Sequence, residues 1–83
     1  MAKFENKNGK LYIDDKEVIK GWESFTGWYW FATEKVDEDT WFGFVQGFED
    51  EWGYFSETEL NKLKRTGKIW EIKKRDLPFA GRK

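Results

Sequence analysis

Two runs of carboxylates are the residues best placed by type to do chemistry: Asp37-Glu38-Asp39 and Glu49-Asp50-Glu51. Carboxylates act in pairs as general acid and base, or hold hard cations through oxygen ligands. The spacing opposes the first role. Residues Thr40 to Phe48 lie between the runs and read as a strand, which separates them by on the order of 25 Å at about 3.3 Å per residue. Carboxylates that flank a glycosidic bond stand within about 10 Å of each other. Neither run has the aspartate spacing or the glycine of an EF-hand loop. Turn formation and solubility account for both runs, and weak Ca²⁺ or Mg²⁺ binding is the alternative.

Other chemistry lacks its parts. The chain has neither histidine nor cysteine, which removes the usual general base, the thiol nucleophile and the usual transition-metal ligands. Ser24, Thr26 and Thr40 have no imidazole to activate them, and Ser56 reads as a helix cap. No phosphate-binding loop or GxSxG elbow occurs. The expectation is a non-enzymatic protein with no cofactor, no catalytic residue and no metal site, with carboxylate- or metal-assisted activity through Asp, Glu, Lys or Tyr as the alternative.

What the 83 residues do hold is rings: six Trp, eight Phe and three Tyr. Large rings bury much area per residue, which lets a short chain without cross-links form a core. No apolar run approaches the roughly 20 residues needed to span a bilayer. The start, MAKFENKNGK, has no apolar stretch after its lysines and does not read as a signal peptide. A cytoplasmic protein with no membrane partner is expected. Net charge is −1, yet residues 1–61 carry 6 basic and 14 acidic side chains, whereas residues 62–83 carry 9 and 2. Such a dipole steers a partner or draws the two halves of the fold together.

The elements that position these residues follow from alternation. Residues 1–9 form a frayed end or a short edge strand. Lys10 to Ile19 reads as a hairpin around Asp14-Asp15-Lys16. Gly21 to Gly27, bracketed by glycines, reads as a loop whose Trp22 and Phe25 fold onto the sheet. Three strands follow: Trp28–Val36, Thr40–Phe48 and Trp52–Phe55, with the acidic triplets as three-residue loops. That register pairs Val36 with Thr40 and Phe48 with Trp52. Trp28, Trp30, Phe42, Phe44, Phe48, Trp52 and Tyr54 then share one face. Tyr29, Phe31, Trp41, Val45 and Phe55 share the other with Gly43, Gly47 and Gly53. Both faces are apolar, so the sheet is expected to be covered on both sides, with a helix or loop close to the glycines.

Ser56 with Glu59 three residues on forms a capping box, and Phe55 with Leu60 a hydrophobic staple. Glu57 and Glu59 in the first turn and Lys62, Lys64 and Arg65 near the end suit the helix dipole. Gly67 stops the helix. KIWEIK, residues 68–73, reads as a last strand with Trp70 and Ile72 on one side and Ile69 on the other. Pro78 ends regular structure. The fold class is therefore α+β: one small antiparallel sheet, a meander of about five to six strands, with one α-helix near residues 57–66. The chain is expected to form a single domain, 1–83, with flexible ends at 1–9 and 77–83.

The core stretch resembles a family of small uncharacterised proteins carried by plasmids, phages and other mobile elements. The matching residues are Trp28, Tyr29 and Trp30, then Phe42, Gly43 and Val45, then Gly47 and Glu51. Gly53-Tyr54-Phe55-Ser56 and Glu59-Leu60 follow, with Lys74-Arg75-Asp76 near the end. The resemblance spans roughly residues 27 to 76. It implies a mobile-element origin and no catalytic residues.

Two functional expectations follow. The excess of Trp and Tyr over what one small core should hide, with acidic rims at the hairpin ends, points to a protein-interaction module. Its contact residues would be Trp28, Trp30, Trp52 and Tyr54, and its partner another protein or a second copy. The alternative is nucleic-acid binding through exposed rings and the basic C-terminal segment. Lys68, Lys73, Lys74 and Arg75 would be the principal contacts, with Lys64, Arg65, Arg82 and Lys83 nearby. A sequence pI near 5.5 opposes that alternative, because dedicated nucleic-acid binders are usually basic.

Overall fold

The structure, a computed structural model, describes residues 2–80. It is α+β, with two antiparallel sheets and one α-helix. The N-terminal segment pairs as β1 (Phe4–Lys7), β2 (Lys10–Ile13) and β3 (Lys16–Glu17) in a three-stranded sheet. Its turns are two residues each. Asn8-Gly9 (φ 54° and 75°) and Asp14-Asp15 (φ 50° and 67°) take the left-handed backbone that matches the twist of hairpin strands. The edge-strand reading of residues 1–9 thus holds for Phe4–Lys7.

The second sheet contains β4 (Lys20–Ser24), β5 (Tyr29–Lys35), β6 (Thr40–Gln46), β7 (Asp50–Ser56) and β8 (Ile69–Glu71), in the order β7-β6-β5-β4-β8. Strand β4 corrects the expectation of a loop over Gly21–Gly27. Gly21 is a strand residue against which Leu77 packs: a methyl group there would lie 2.6 Å from Leu77 Cδ1. The glycine marks close approach rather than a turn. The reversal comes later, at Phe25–Gly27, and Phe25 is exposed instead of folded down.

Both faces of this sheet are covered. One packs on the three-stranded sheet, burying Leu11, Ile13, Val18, Phe31, Phe44, Ile72 and Leu77 together. The other takes helix α1 (Glu57–Lys64), which lowers Leu60 onto Trp22, Ala32, Trp41 and Ile69. Phe31 is fully buried, and burial of one such ring contributes about 1.5–3 kcal/mol. Ile69 and Ile72 enter opposite clusters, as the alternation of residues 68–73 requires. Residues 77–79, expected to trail from the fold, form a 3-10 turn with Leu77 and Pro78 buried. Leu77 is apolar and reaches the gap left by Gly21, so this turn closes the core. Residues 81–83 lie outside the described part.

Trp30 and Phe44, expected on one face, lie on opposite faces. Strand β5 pairs with β6 as Tyr29↔Gln46, Trp30↔Val45, Phe31↔Phe44 and Ala32↔Gly43, then shifts by one to Glu34↔Phe42 and Lys35↔Trp41. The extra residue is Thr33, whose hydroxyl donates to the Phe42 carbonyl at 3.0 Å. This β-bulge turns the first half of β5 over relative to β6. Trp30 therefore points to the helix side and Phe44 to the opposite side. Gly43 belongs to the same device: a methyl group there would lie 1.8 Å from the Phe31 carbonyl oxygen. The close neighbour at Gly43 is the bulged strand, not a helix or loop.

Candidate functional site

The β6–β7 hairpin carries the rings that the fold leaves uncovered. All seven residues of β7 pair with β6, from Thr40↔Ser56 to Gln46↔Asp50, without a register shift. The connecting loop is Gly47-Phe48-Glu49, two residues earlier than the acidic triplet expected there. A displacement of two preserves which side each residue faces. Phe42, Phe44, Trp52 and Tyr54 therefore do share a face.

They form a graded row from core to solvent. Phe44 is buried against Phe4, with ring centroids 5.9 Å apart. Trp52 meets Phe44 at 5.2 Å and stacks on Phe42 at 5.7 Å with planes 12° apart. Tyr54 meets Phe42 edge-on at 5.1 Å and is 70% exposed. Ring pairs of this geometry contribute about 0.5–1.5 kcal/mol beyond their area, so the row is a held surface rather than loose side chains. Trp28 and Trp30 stand together on the other face, 5.9 Å apart. Phe48 meets Trp28 edge-on at 5.3 Å and is 95% exposed. The four expected contact residues are thus two pairs, Trp52 with Tyr54 and Trp28 with Trp30, on opposite sides of the sheet. On β7 Gly53, opposite Gly43, has open space where a side chain would be.

The two carboxylate runs have different fates. Asp37 Oδ1 accepts from the amides of Asp39 and Thr40 at 2.9 and 2.8 Å, closing the β5–β6 turn. These backbone bonds hold its pKa below the ordinary carboxylate value. Asp39 reaches across to the start of the helix. Its Oδ2 accepts from Ser56 Oγ at 2.5 Å, and its Oδ1 accepts from the Thr58 amide at 2.7 Å and from the Thr58 hydroxyl. The bonds from the Ser56 and Thr58 side chains, then that from the Thr58 amide, lower its pKa. Ser56 Oγ in turn accepts from the Glu59 amide at 3.2 Å, as its capping role requires. Asp39 extends that cap, a contribution from a distant residue that local spacing cannot reveal.

Glu57 ties the same helix end to the sheet. Its carboxylate accepts from Trp41 Nε1 at 2.6 Å, Lys20 Nζ at 3.0 Å and Lys35 Nζ at 3.4 Å. The Trp41 bond is the main reason its pKa is lowered. By contrast, Glu49, Asp50 and Glu51 are exposed and enter none of the ion pairs among the described residues. They stand at the start of β7.

The basic candidates lie elsewhere. Lys68 precedes β8, and Lys73, Lys74 and Arg75 follow it, all exposed. Strand β8 is the opposite edge of the sheet from β7, four strand spacings or about 19 Å away at 4.8 Å each. The ring nearest them in the chain, Trp70, shares a hollow with Glu23, Glu71 and Asp76 as well as Lys73. The structure does not bring the basic cluster to the Trp52–Tyr54 row. Arg82 and Lys83 lie outside the described residues.

Among the described residues no helix is long and apolar enough to cross a membrane, and no group of three or more carboxylates stands as a metal site. Compared with known protein families, curated proteins and solved structures, the chain matches none.

Proposed function

We propose that this protein is a non-catalytic binding module that contacts a protein partner through the rings of the β6–β7 hairpin. The observation that carries the reading is the Phe42–Trp52–Tyr54 row, packed from the core outward and left open at Tyr54 beside a free strand. Rings at the centre of a surface with charge at its margin are the composition of interface hot spots. Trp28, Trp30 and Phe48 supply a second ring surface at the hairpin's other side. Asp37, Asp39 and Glu57, the carboxylates with depressed pKa, are occupied in closing a turn and seating a helix, which supports a binding role over a hydrolytic one. The separation of the basic residues from the ring row supports a protein partner over nucleic acid.

The test is selection of ligands from a displayed random-peptide library on the intact protein, followed by affinity measurement with Tyr54→Ala and Trp52→Ala. The expected result is a loss of about tenfold or more for either variant, the scale of a hot-spot residue, with circular dichroism unchanged. Selected ligands that bind both variants as tightly as the parent refute the assignment. So does tight, salt-sensitive binding of oligonucleotides that Lys73→Glu with Lys74→Glu abolishes and Tyr54→Ala leaves intact.

A further inference from the structure

Among the described residues no strand pairs with the outer edge of β7. It is the terminal strand of its sheet, it pairs with β6 at every residue without a bulge, and it contains neither proline nor lysine. Proteins blunt exposed edges with such devices because an unpaired row of N–H and C=O groups is a template for another strand. The other edge, β8, is only three residues long. A long, regular edge beside exposed rings is a surface that another strand can pair with.

We propose that β7 receives an extended, basic polypeptide segment of a partner protein as a sixth strand of the sheet. The proposal rests on the protein-binding reading and specifies its partner. Strand addition draws affinity from main-chain hydrogen bonds and specificity from alternate side chains. Here alternate partner side chains meet Trp52 and Tyr54 on one face, while those between fall over the space at Gly53 on the other. Charge selects the occupant. At the first end of β7, Glu49, Asp50 and Glu51 enter no ion pair among the described residues, and its last residue, Ser56, is bonded to Asp39 of the Asp37-Glu38-Asp39 turn. Carboxylates at both ends with rings between complement lysine or arginine flanking an apolar or aromatic centre. They also disfavour a second copy pairing through its own β7. An antiparallel pair sets Glu49–Glu51 against the partner copy's Asp39 end, and a parallel pair sets the two Glu49–Glu51 runs side by side.

The experiment uses three synthetic twelve-residue peptides: one with lysine and arginine flanking alternating tyrosine and valine, one with those bases replaced by glutamate, and one with a central proline in the basic frame. Binding is read by fluorescence anisotropy and by amide hydrogen exchange of the full chain. The basic peptide is expected to bind at least about tenfold tighter than either other peptide, to weaken as salt screens the charges, and to slow exchange of β7 amides. Glu49→Gln with Asp50→Asn and Glu51→Gln is expected to lower its affinity, while Lys73→Glu with Lys74→Glu leaves it unchanged. Equal binding of the acidic or proline peptide at the Trp52–Tyr54 row overturns this proposal and leaves the ring-surface reading standing. Binding of no peptide there overturns both. Concentration-dependent self-association abolished by Lys73→Glu with Lys74→Glu also overturns it, because the occupant is then the chain's own basic segment.

Discussion

Gly43 and Gly53 face each other across β6 and β7, and this makes a matched pair of substitutions. Replacing either by alanine changes β propensity by the same amount, so any difference reports what surrounds each site. A methyl group on Gly43 lies 1.8 Å from the Phe31 carbonyl oxygen and 3.0 Å from Ala32 Cα, both backbone atoms. Relief requires the bulged segment of β5 to move by more than an ångström, while Phe31 and Ala32 are each anchored in a different core cluster. Overpacking that side chains can absorb costs about 1–3 kcal/mol. Backbone on both sides of the clash places Gly43→Ala at about 3 kcal/mol or more, out of a total of about 4–12 kcal/mol for a chain of this length. At about 4–8 °C per kcal/mol, Tm falls by at least about 12 °C. Gly53→Ala meets open space and stiffens the unfolded chain, so its effect is between neutral and a gain of about 1 kcal/mol. Thermal unfolding followed by far-ultraviolet circular dichroism separates the two. If both variants melt within a few degrees of each other, the bulge at Thr33 is misplaced and the division of the rings between faces fails with it.

Removing the cap by Ser56→Ala costs about 1 kcal/mol, seen as a Tm drop of about 4–8 °C; an unchanged melt would show that Asp39 holds the helix start without it. Phe31→Ala costs about 3–5 kcal/mol, whereas Phe48→Ala, at a ring 95% exposed, stays within about 0.5 kcal/mol in urea unfolding. Equal losses at the two positions would contradict the burial pattern. Asp37, Asp39 and Glu57 have folded pKa values below their unfolded ones, so the unfolded chain takes up protons first. Their contribution is complete above the ordinary carboxylate values near 4–4.5 and is lost as pH falls through the depressed folded values. Urea titrations between pH 7 and 3 should show stability falling over that acid range, with a shallower fall in Asp39→Asn; a slope identical to the parent's would remove Asp39 from the account.

Much of this fold is legible from local patterns, because local sterics create it. Ser56, Phe55 and Leu60 announce the helix start, and the structure forms that cap and that staple cluster. Alternation over Ile69–Ile72 sends its two isoleucines to opposite clusters. Asn8-Gly9 is a dipeptide that favours the two-residue hairpin turn, and it sets β1 beside β2. What local patterns could not supply is the identity of the neighbour. Gly21 looks like punctuation until Leu77, far along the chain, is known to fill its place. Asp39 looks like a turn residue until Ser56 and Thr58 are known to stand beside it.

The rings show the same limit more sharply. Moving a hairpin loop by two residues, as between the expected and observed β6–β7 turns, leaves the paired side chains of β6 and β7 on their expected faces, while Phe48, now in the loop, turns to Trp28 on the other face. Inserting one residue, as at Thr33, exchanges the faces of everything beyond it. A bulge needs only an ordinary strand residue, and threonine is among the best of these, so nothing in the spacing of Trp28, Trp30 and Phe31 marks it. Its trace is on the partner strand, where Gly43 is the residue that lets the displaced carbonyl of Phe31 come close. By separating Trp30 from Trp52, that insertion leaves one ring surface on each side of the hairpin. Strand β7, with Tyr54 on one face and the Gly53 space on the other, is the free edge beside them. A partner strand laid along that edge would present alternate side chains to each side at once, which a ring patch confined to a single face does not allow.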